Sequence, residues 1–306
     1  MRNTLVNTIL DEARKNNNLY VVAADISPSG NMQEFIKEFP NNFINVGVAE
    51  QAMIGVAAGL SAMKSKVIVY TIAPFSFYRP FEFIRNDIVL QKLPVIIVGM
   101  GAGLIYSNLG LTHQSIEDVS IASSIPGLQV LAPCDPEELD VLLRYLINNS
   151  ITPAYIRIGK SGEKVLGNSN SEKIVFGKIR ELHKGQSIAV LTYGVITSLV
   201  SGVINEIQLE FNKNVSLYSV HTIKPLDLAG IKKVLNDFDK VVVIEECVNN
   251  GSLGQNIVQC MRENNLKTKV TLMNLGDLYI EKYGTYEELL SEYGLTKARI
   301  KAEILG

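Results

Sequence analysis

Short runs of branched and other apolar residues recur along the first half of the chain and predict buried strands. They occupy 19–24, 66–71, 94–100, 128–133 and 154–158. Longer stretches with apolar residues at helical spacing lie between them, at 50–64, 79–92, 115–125 and 135–149. Strands that alternate with helices predict a mostly parallel sheet that is covered on both faces.

A second unit of the same kind follows after residue 173. Its predicted strands are 187–194, 215–221, 240–247 and 269–276, and its predicted helices lie near 196–211, 226–237 and 252–264. The stretch 161–173 is rich in Gly, Ser, Lys and Asn and lacks periodicity, which is typical of a linker. The pattern therefore predicts an α/β protein with two consecutive doubly wound, mostly parallel domains, 1–160 and 174–306.

Composition narrows the classes of function. Of 306 residues, 47% are hydrophobic, and the formal net charge of −2 gives no electrostatic reason to expect nucleic acid or an anionic membrane as a partner. The three cysteines lack metal-ligand spacing and suit a reducing compartment. No apolar run reaches the ~18 residues of a membrane span, and the first helix is amphipathic without a signal-peptide core. We expect a cytoplasmic protein that binds small molecules and other proteins.

The sharpest local motif is VGVAEQAMIGVAAGL, in which Glu50 follows a short strand-like segment and opens a helix. Gly55 and Gly59 follow on that helix and permit close approach of a neighbour. An acid in the first turn is favoured by the helix dipole. Taken alone, the motif is equally typical of an ordinary helix start with glycines for packing.

The following segments, in order, resemble the pyrimidine-binding domain of thiamine-diphosphate enzymes, and specifically that of transketolases. They are the aromatic segment TIAPFSFYRPFEFIRND and the loop SNLGLTHQ. The resemblance implies that Glu50 hydrogen-bonds N1′ of the aminopyrimidine and so promotes cofactor activation. It implies that Phe75 and Tyr78 form the wall on which this ring stacks, with Ile72 where the family often has another aromatic ring. It implies that His113 reaches the reacting sugar carbons.

Two further segments match family elements that handle anions. ADISPSGN resembles the segment in which an aspartate supports the cofactor side and a serine contacts substrate phosphate, which implies those roles for Asp25 and Ser29. AYIRIGK places Arg157 where the family positions an arginine on the sugar phosphate, and a guanidinium suits phosphate oxygens. The alternative for Arg157 is a salt bridge at the end of a strand. Lys160 is a weaker candidate.

The segments HTIKPLD and EECVNNGSLGQNIVQ resemble the C-terminal domain of transketolases, which in the family helps to hold the dimer and takes no part in the chemistry. The family holds the diphosphate and Mg²⁺ with a GDG motif, which does not occur in this sequence. The resemblance therefore implies a partner, a separately encoded N-terminal transketolase subunit that holds most of the diphosphate and Mg²⁺, most simply in an α2β2 assembly.

Three alternatives remain open at this point. A β subunit of a 2-oxo-acid dehydrogenase has the same architecture, but its loop reads AQHSQ rather than LTHQSIED. A deoxyxylulose-phosphate synthase is similar but normally forms one fused chain. A non-catalytic scaffold of the same fold is the third, although Glu50, Phe75 and His113 argue against it.

The loop before the histidine departs from the family pattern. Typical transketolases have GEDGPTHQ where this chain has SNLGLTHQ, so that Leu109 replaces an aspartate that contacts a donor hydroxyl. Gly101 falls near a position where the family keeps another histidine. Loss of both polar groups predicts a changed range of sugar or sugar-phosphate substrates.

Overall fold

The computed structural model describes residues 1–26, 32–167 and 173–306. Its helices are α1 Arg2–Lys15, α2 Gln33–Glu38, α3 Glu50–Ala62, α4 Ala73–Phe77, α5 Phe81–Phe83, α6 Asp118–Ser124, α7 Pro136–Asn149, α8 Ile196–Phe211, α9 Leu228–Asp237, α10 Leu253–Glu263, α11 Tyr286–Glu292 and α12 Lys297–Leu305. Its strands are β1 Leu19–Ala23, β2 Phe43–Asn45, β3 Lys66–Ile72, β4 Val95–Met100, β5 Gln129–Leu131, β6 Ala154–Ile158, β7 Arg180–His183, β8 Ile188–Thr192, β9 Ser216–Ser219, β10 Thr222–Lys224, β11 Lys240–Ile244 and β12 Lys269–Met273.

The first sheet has the strand order β10-β5-β6-β4-β3-β1-β2 within the described ranges. Its strands pair in parallel except at the β10–β5 edge, which is antiparallel. Parallel strands joined by crossover helices align their carboxyl ends along one edge of a sheet. The segments that follow β2, β3 and β4 therefore lie along the same edge, with β1 between β3 and β2, and these segments carry Glu50, Phe75 and His113.

The second sheet has the order β12-β11-β8-β9-β7 in the part of the chain that the structure describes. It is parallel except for the edge strand β7, which runs antiparallel to β9. One cluster of buried side chains draws on both sheets, including Ile97 of β4 and Val243 of β11. The predicted fold of two α/β units with mostly parallel sheets is confirmed.

One local expectation was wrong. The interval 79–92 was predicted as one helix, but α5 is short and continues as a π-helical turn over Ile84–Val89. Strand β10 follows the predicted linker in sequence and yet pairs with β5 of the first sheet. The two halves of the chain therefore share a sheet. No helix among the described residues is long and apolar enough to cross a membrane.

A buried ionic cluster joins α7 to β7. Asp135 caps α7 by accepting a hydrogen bond from the backbone N–H of Glu138 at 2.8 Å. Arg180 of β7 donates to Asp135 at 3.0 Å, and all three side chains are buried. Because a buried charge is tolerated only when it is paired, this cluster fixes the second half of the chain against the first.

A second buried cluster lies at the carboxyl end of β6. Asp118, the first residue of α6, accepts hydrogen bonds from Arg157 at 3.0 Å and from the Tyr155 hydroxyl at 2.6 Å. The Arg157 guanidinium lies 5.7 Å from the ring centroid of Tyr193 in the second half, and the Tyr193 hydroxyl donates to Glu245 at 3.1 Å. A series of contacts between buried polar side chains therefore links the first sheet to the second.

Glu246, which follows Glu245 at this contact between the two sheets, has a carboxyl oxygen without a hydrogen bond in the part of the chain that the structure describes. This oxygen is Oε1, and the side chain is 2% exposed. Burial raises the pKa of Glu246 to about 7, an effect that the charge of Arg157 partly opposes. Between the ordinary pKa of a glutamate and about 7, the Glu246 carboxyl group therefore stays protonated in the folded protein, whereas in the unfolded chain it loses the proton. The stronger proton binding of the folded state contributes stability that is fully present at low pH and is lost as the pH rises through about 7.

We predict that Glu246→Gln raises the melting temperature more at pH 8 than at pH 5.5, because the amide keeps the shape of the side chain without a buried charge. Thermal unfolding of both proteins across this pH range measures the difference. The exposed Glu287→Gln serves as the control and is expected to change little at either pH. An equal shift for Glu246→Gln at both pH values would contradict the assignment.

Candidate active site

Glu50 begins α3 directly after the turn that follows β2. Gly47 makes this turn with a φ of +72°, a conformation that favours glycine. The Glu50 side chain is 8% exposed, and its Oε1 accepts a hydrogen bond from Nη1 of Arg79 at 2.6 Å. The structure therefore presents a largely buried carboxyl group at a helix start, where the helix dipole favours negative charge. Gly55 and Gly59 leave an open face on the same helix, since no atom lies within 4 Å of a Cβ built on either.

Phe75 lies on α4, the short helix that follows β3. The guanidinium carbon of Arg79 lies 3.9 Å from the centroid of the Phe75 ring, which is a close cation–π contact. Phe75 and Glu50 are thus connected through one side chain that sequence reasoning had not assigned to the site. The i, i+4 spacing of Phe75 and Arg79 was the available signal, because residues at this spacing meet on a helical turn.

Tyr78 points toward the loop that follows β4. Its hydroxyl donates to Oε2 of Glu117 at 2.8 Å and lies 3.3 Å from Ser115 Oγ. The ring lines a cavity of about 310 Å³ together with Thr112 and Tyr279. Of the two predicted wall residues, Phe75 contacts Arg79 directly, whereas Tyr78 contacts the loop that follows β4.

His113 lies on the loop that follows β4 and contacts Phe75. Its ring centroid lies 5.0 Å from that of Phe75, with the planes at 71°, so the two rings pack edge to face. Burial lowers the pKa of His113, and the positive charge of Arg79 acts in the same direction. The neutral imidazole is therefore favoured at pH 7, with one nitrogen able to donate and the other able to accept. Thr112 Oγ1 lies 3.0 Å from Nδ1.

The space beside Gly101 is taken by an aromatic ring. Gly101 has a φ of +72°, and a Cβ built there would lie 2.0 Å from a carbon of Tyr106. Tyr106 therefore fills the space that a larger side chain at Gly101 would need. Leu109 is 43% exposed in the same loop, so that an apolar side chain faces outward where the family pattern has an aspartate.

The C-terminal half reaches the same loop, which the sequence had not indicated. The Ser107 hydroxyl donates to the carbonyl oxygen of Gly284 at 2.9 Å, and the Tyr279 hydroxyl donates to Glu117. A Cβ built on Gly110 would lie 2.7 Å from the ring of Tyr283. The segment before α11 thus holds the His113 loop in place. These contacts join residues more than 150 positions apart, and no local pattern reveals them.

Arg157 is not brought to Glu50 and His113. Its side chain is 4% exposed and is paired with Asp118 at 3.0 Å, which is the strand-end salt bridge that was the alternative. Its role in phosphate binding stays a prediction. Lys160 lies closer to the site loop, because its Nζ is 4.9 Å from the ring centroid of Tyr106, which in turn lies 6.5 Å from that of His113.

The remaining candidates lie around the first strands. Asp25 is exposed, has a φ of 39°, and its backbone N–H donates to Asn45 Oδ1 at 3.2 Å. Ile72 ends β3 and is half-buried. Ser29 lies outside the described residues. Within 1–26, 32–167 and 173–306, no group of three or more His, Cys, Asp or Glu side chains is arranged to hold a metal ion.

Sequence profiles of two families match the chain. The transketolase pyrimidine-binding domain matches residues 1–162, and the transketolase C-terminal domain matches residues 177–300. Together they cover more than half of the chain.

Individual relatives agree with these profiles. One of the subunits of an apulose-4-phosphate transketolase from Phocaeicola vulgatus is 28% identical over 98% of this chain and 94% of its own length. A putative transketolase C-terminal section of Methanocaldococcus jannaschii is 33% identical over 100% and 95%. A 1-deoxy-D-xylulose-5-phosphate synthase of Clostridium perfringens is 29% identical over 95% of this chain, but over 46% of its own length.

A solved structure described as a split gene transketolase, inactive beta4 tetramer, superposes with a TM-score of 0.86. It is 27% identical and covers 99% of this chain and 96% of that one. The chain therefore belongs to the transketolase family, of which it carries the pyrimidine-binding and C-terminal domains, as do the C-terminal subunits of the split members.

Proposed function

We propose that this chain is one subunit of a thiamine-diphosphate-dependent enzyme of the transketolase type, which transfers a two-carbon ketol unit between sugars. The observation that carries the proposal is the meeting of Glu50, Phe75 and His113 at the carboxyl edge of the first sheet. A largely buried carboxyl group, an aromatic ring and a neutral imidazole come together there from three separate segments.

These residues fit the aminopyrimidine half of the cofactor. A flat heteroaromatic ring gains offset stacking and apolar burial from Phe75, and a ring nitrogen requires a partner such as the Glu50 carboxyl. When bound, thiamine diphosphate supplies the carbanion-stabilising chemistry that side chains lack. Glu50 would share a proton with N1′ of the bound cofactor, and Phe75 would orient the ring.

His113 serves the substrate side. As a neutral imidazole it donates a hydrogen bond to, or accepts one from, a sugar hydroxyl or carbonyl oxygen. The C-terminal segment that contacts Ser107 and Glu117 holds the loop of His113, so that the imidazole keeps its place against Phe75. Leu109 lies on the same loop as His113, and its exposed side chain would offer an apolar surface to a sugar bound there.

The diphosphate and Mg²⁺ are assigned to a separately encoded partner, in an α2β2 assembly. Support comes from relatives that are named as subunits of transketolases. The similar split-gene chain was described as inactive when it forms a tetramer of β chains. An active site shared between unlike chains agrees with that description.

A synthase-type reaction is the second candidate, because the deoxyxylulose-phosphate synthase relative matches over 95% of this chain. The two functions differ in their donor. A synthase takes a 2-oxo acid and releases carbon dioxide, whereas a transketolase takes a ketose. Product analysis of the assembled enzyme with each class of donor separates them.

We predict that Glu50→Gln slows proton exchange at the thiazolium carbon of the bound cofactor by about 10²-fold or more, because the amide cannot exchange a proton with N1′. Deuterium exchange followed by NMR on the complex with its partner measures this rate. Glu82→Gln, a change of an exposed acid on the neighbouring α5, serves as the matched control. An unchanged exchange rate in correctly assembled Glu50→Gln would remove Glu50 from this role.

We also predict that Leu109 shifts substrate choice. The two-chain enzyme is expected to favour deoxygenated or otherwise altered sugars over ordinary pentose phosphates, because no carboxylate is left unpaired when a hydroxyl is missing. Leu109→Asp is expected to raise kcat/KM for hydroxylated donors relative to deoxy donors. The exposed Leu209→Asp on α8 is the control. Equal ratios for Leu109→Asp and the parent enzyme would refute the role of Leu109 and leave ketol transfer itself standing.

A further inference from the structure

Arg79 contacts or influences each of the three residues that carry the proposed function. Its Nη1 donates to Glu50 Oε1 at 2.6 Å, and its guanidinium carbon lies 3.9 Å from the Phe75 ring centroid. Its charge lowers the pKa of His113, in addition to the larger effect of burial. No other charged side chain among the described residues combines these three relations.

Arg79 bonds to only one of the two carboxyl oxygens of Glu50 in the described part of the chain. Within the described residues, Oε1 accepts from Arg79 and no hydrogen bond to Oε2 is present. A charge-assisted bond of this length restricts the rotation of the Glu50 carboxyl group. One oxygen is thereby held, and the other is left to meet a ligand.

Stacking on Phe75 fixes the other side of Arg79. The Arg79 side chain is 47% exposed, whereas that of Glu50 is 8% exposed, so the guanidinium reaches inward from the rim of the site. A free arginine at such a rim would sample many rotamers, but the aromatic face favours a single placement of the planar group. Phe75 is itself packed edge to face against His113. The three contacts therefore form a continuous chain from Glu50 to His113.

We propose that Arg79 is a positioning residue of the active site, which orients the Glu50 carboxyl group toward the aminopyrimidine by holding Oε1 and leaving Oε2 for the ligand. This inference rests on the proposed function, because the ligand it serves is thiamine diphosphate. The same contacts would also be present if Arg79 competed with the cofactor for Glu50 and Phe75. In that case the guanidinium would occupy the place of the aminopyrimidine and would have to leave before the cofactor binds.

Replacement of Arg79 distinguishes the two. We expect Arg79→Gln to weaken binding of thiamine diphosphate to the two-chain complex by about tenfold or more, since a charge-assisted bond and its ordering of Glu50 are lost. Arg79→Lys keeps the charge but lacks the planar fork, and is expected to recover only part of the affinity. Arg85→Gln, a change of an exposed arginine in the following π-helical turn, is expected to bind as the parent does.

A second readout needs no cofactor. In the isolated chain, NMR titration of the His113 ring is expected to show a higher pKa in Arg79→Gln than in the parent, because a nearby positive charge is removed. Arg79→Lys is expected to leave this pKa low. His113→Gln identifies the resonance.

The inference is overturned if Arg79→Gln binds thiamine diphosphate as tightly as the parent complex or more tightly, or if the pKa of His113 does not move. Tighter binding would identify the guanidinium as a competitor. Failure of the parent complex itself to bind the cofactor is a different result, which would contradict the proposed function and not the role of Arg79 alone.

Discussion

The buried ion pair between Asp118 and Arg157 anchors both the fold and the site. It joins the start of α6 to the last strand of the first half, and Tyr155 and Tyr193 enclose it between the two sheets. Removing one partner of such a pair leaves an uncompensated buried charge, which costs about 3–5 kcal/mol. Because the loop that carries His113 ends where α6 begins, this pair also fixes one end of the site loop. The contacts of Ser107 and Tyr279 with the C-terminal half fix the rest of it.

The site follows from this anchoring. Parallel strands bring Glu50, the α4 segment and the His113 loop to one edge, and Arg79 connects the acid to the aromatic ring. The C-terminal half, which the family resemblance had assigned to dimer contacts, also contacts the loop that holds His113.

Much of the fold could be predicted from the sequence, because buried parallel strands are apolar throughout and contrast with the helices between them. The run 66–71 became β3, Lys66–Ile72, with one residue added. The edge strands β7 and β10 were missed, since short strands that contain polar residues give no such contrast. The π-helical turn over Ile84–Val89 could not be predicted either, because its apolar spacing is the same as that of an ordinary helix. In the site, Glu50, Phe75 and His113 were proposed from motifs, and the structure links them through contacts with Arg79 and with one another. The burial of Arg157 against Asp118 depends on two segments 39 residues apart, and no local pattern encodes it.

We propose that this chain supplies only the aminopyrimidine half of a thiamine diphosphate site. Calorimetric titration with thiamine diphosphate and Mg²⁺ tests this claim most directly, first on the isolated chain and then on the chain mixed with the subunit that carries the diphosphate-binding domain. We expect weak or undetectable binding to the isolated chain and tight, Mg²⁺-dependent binding to the mixture. Tight binding to the isolated chain would contradict this claim.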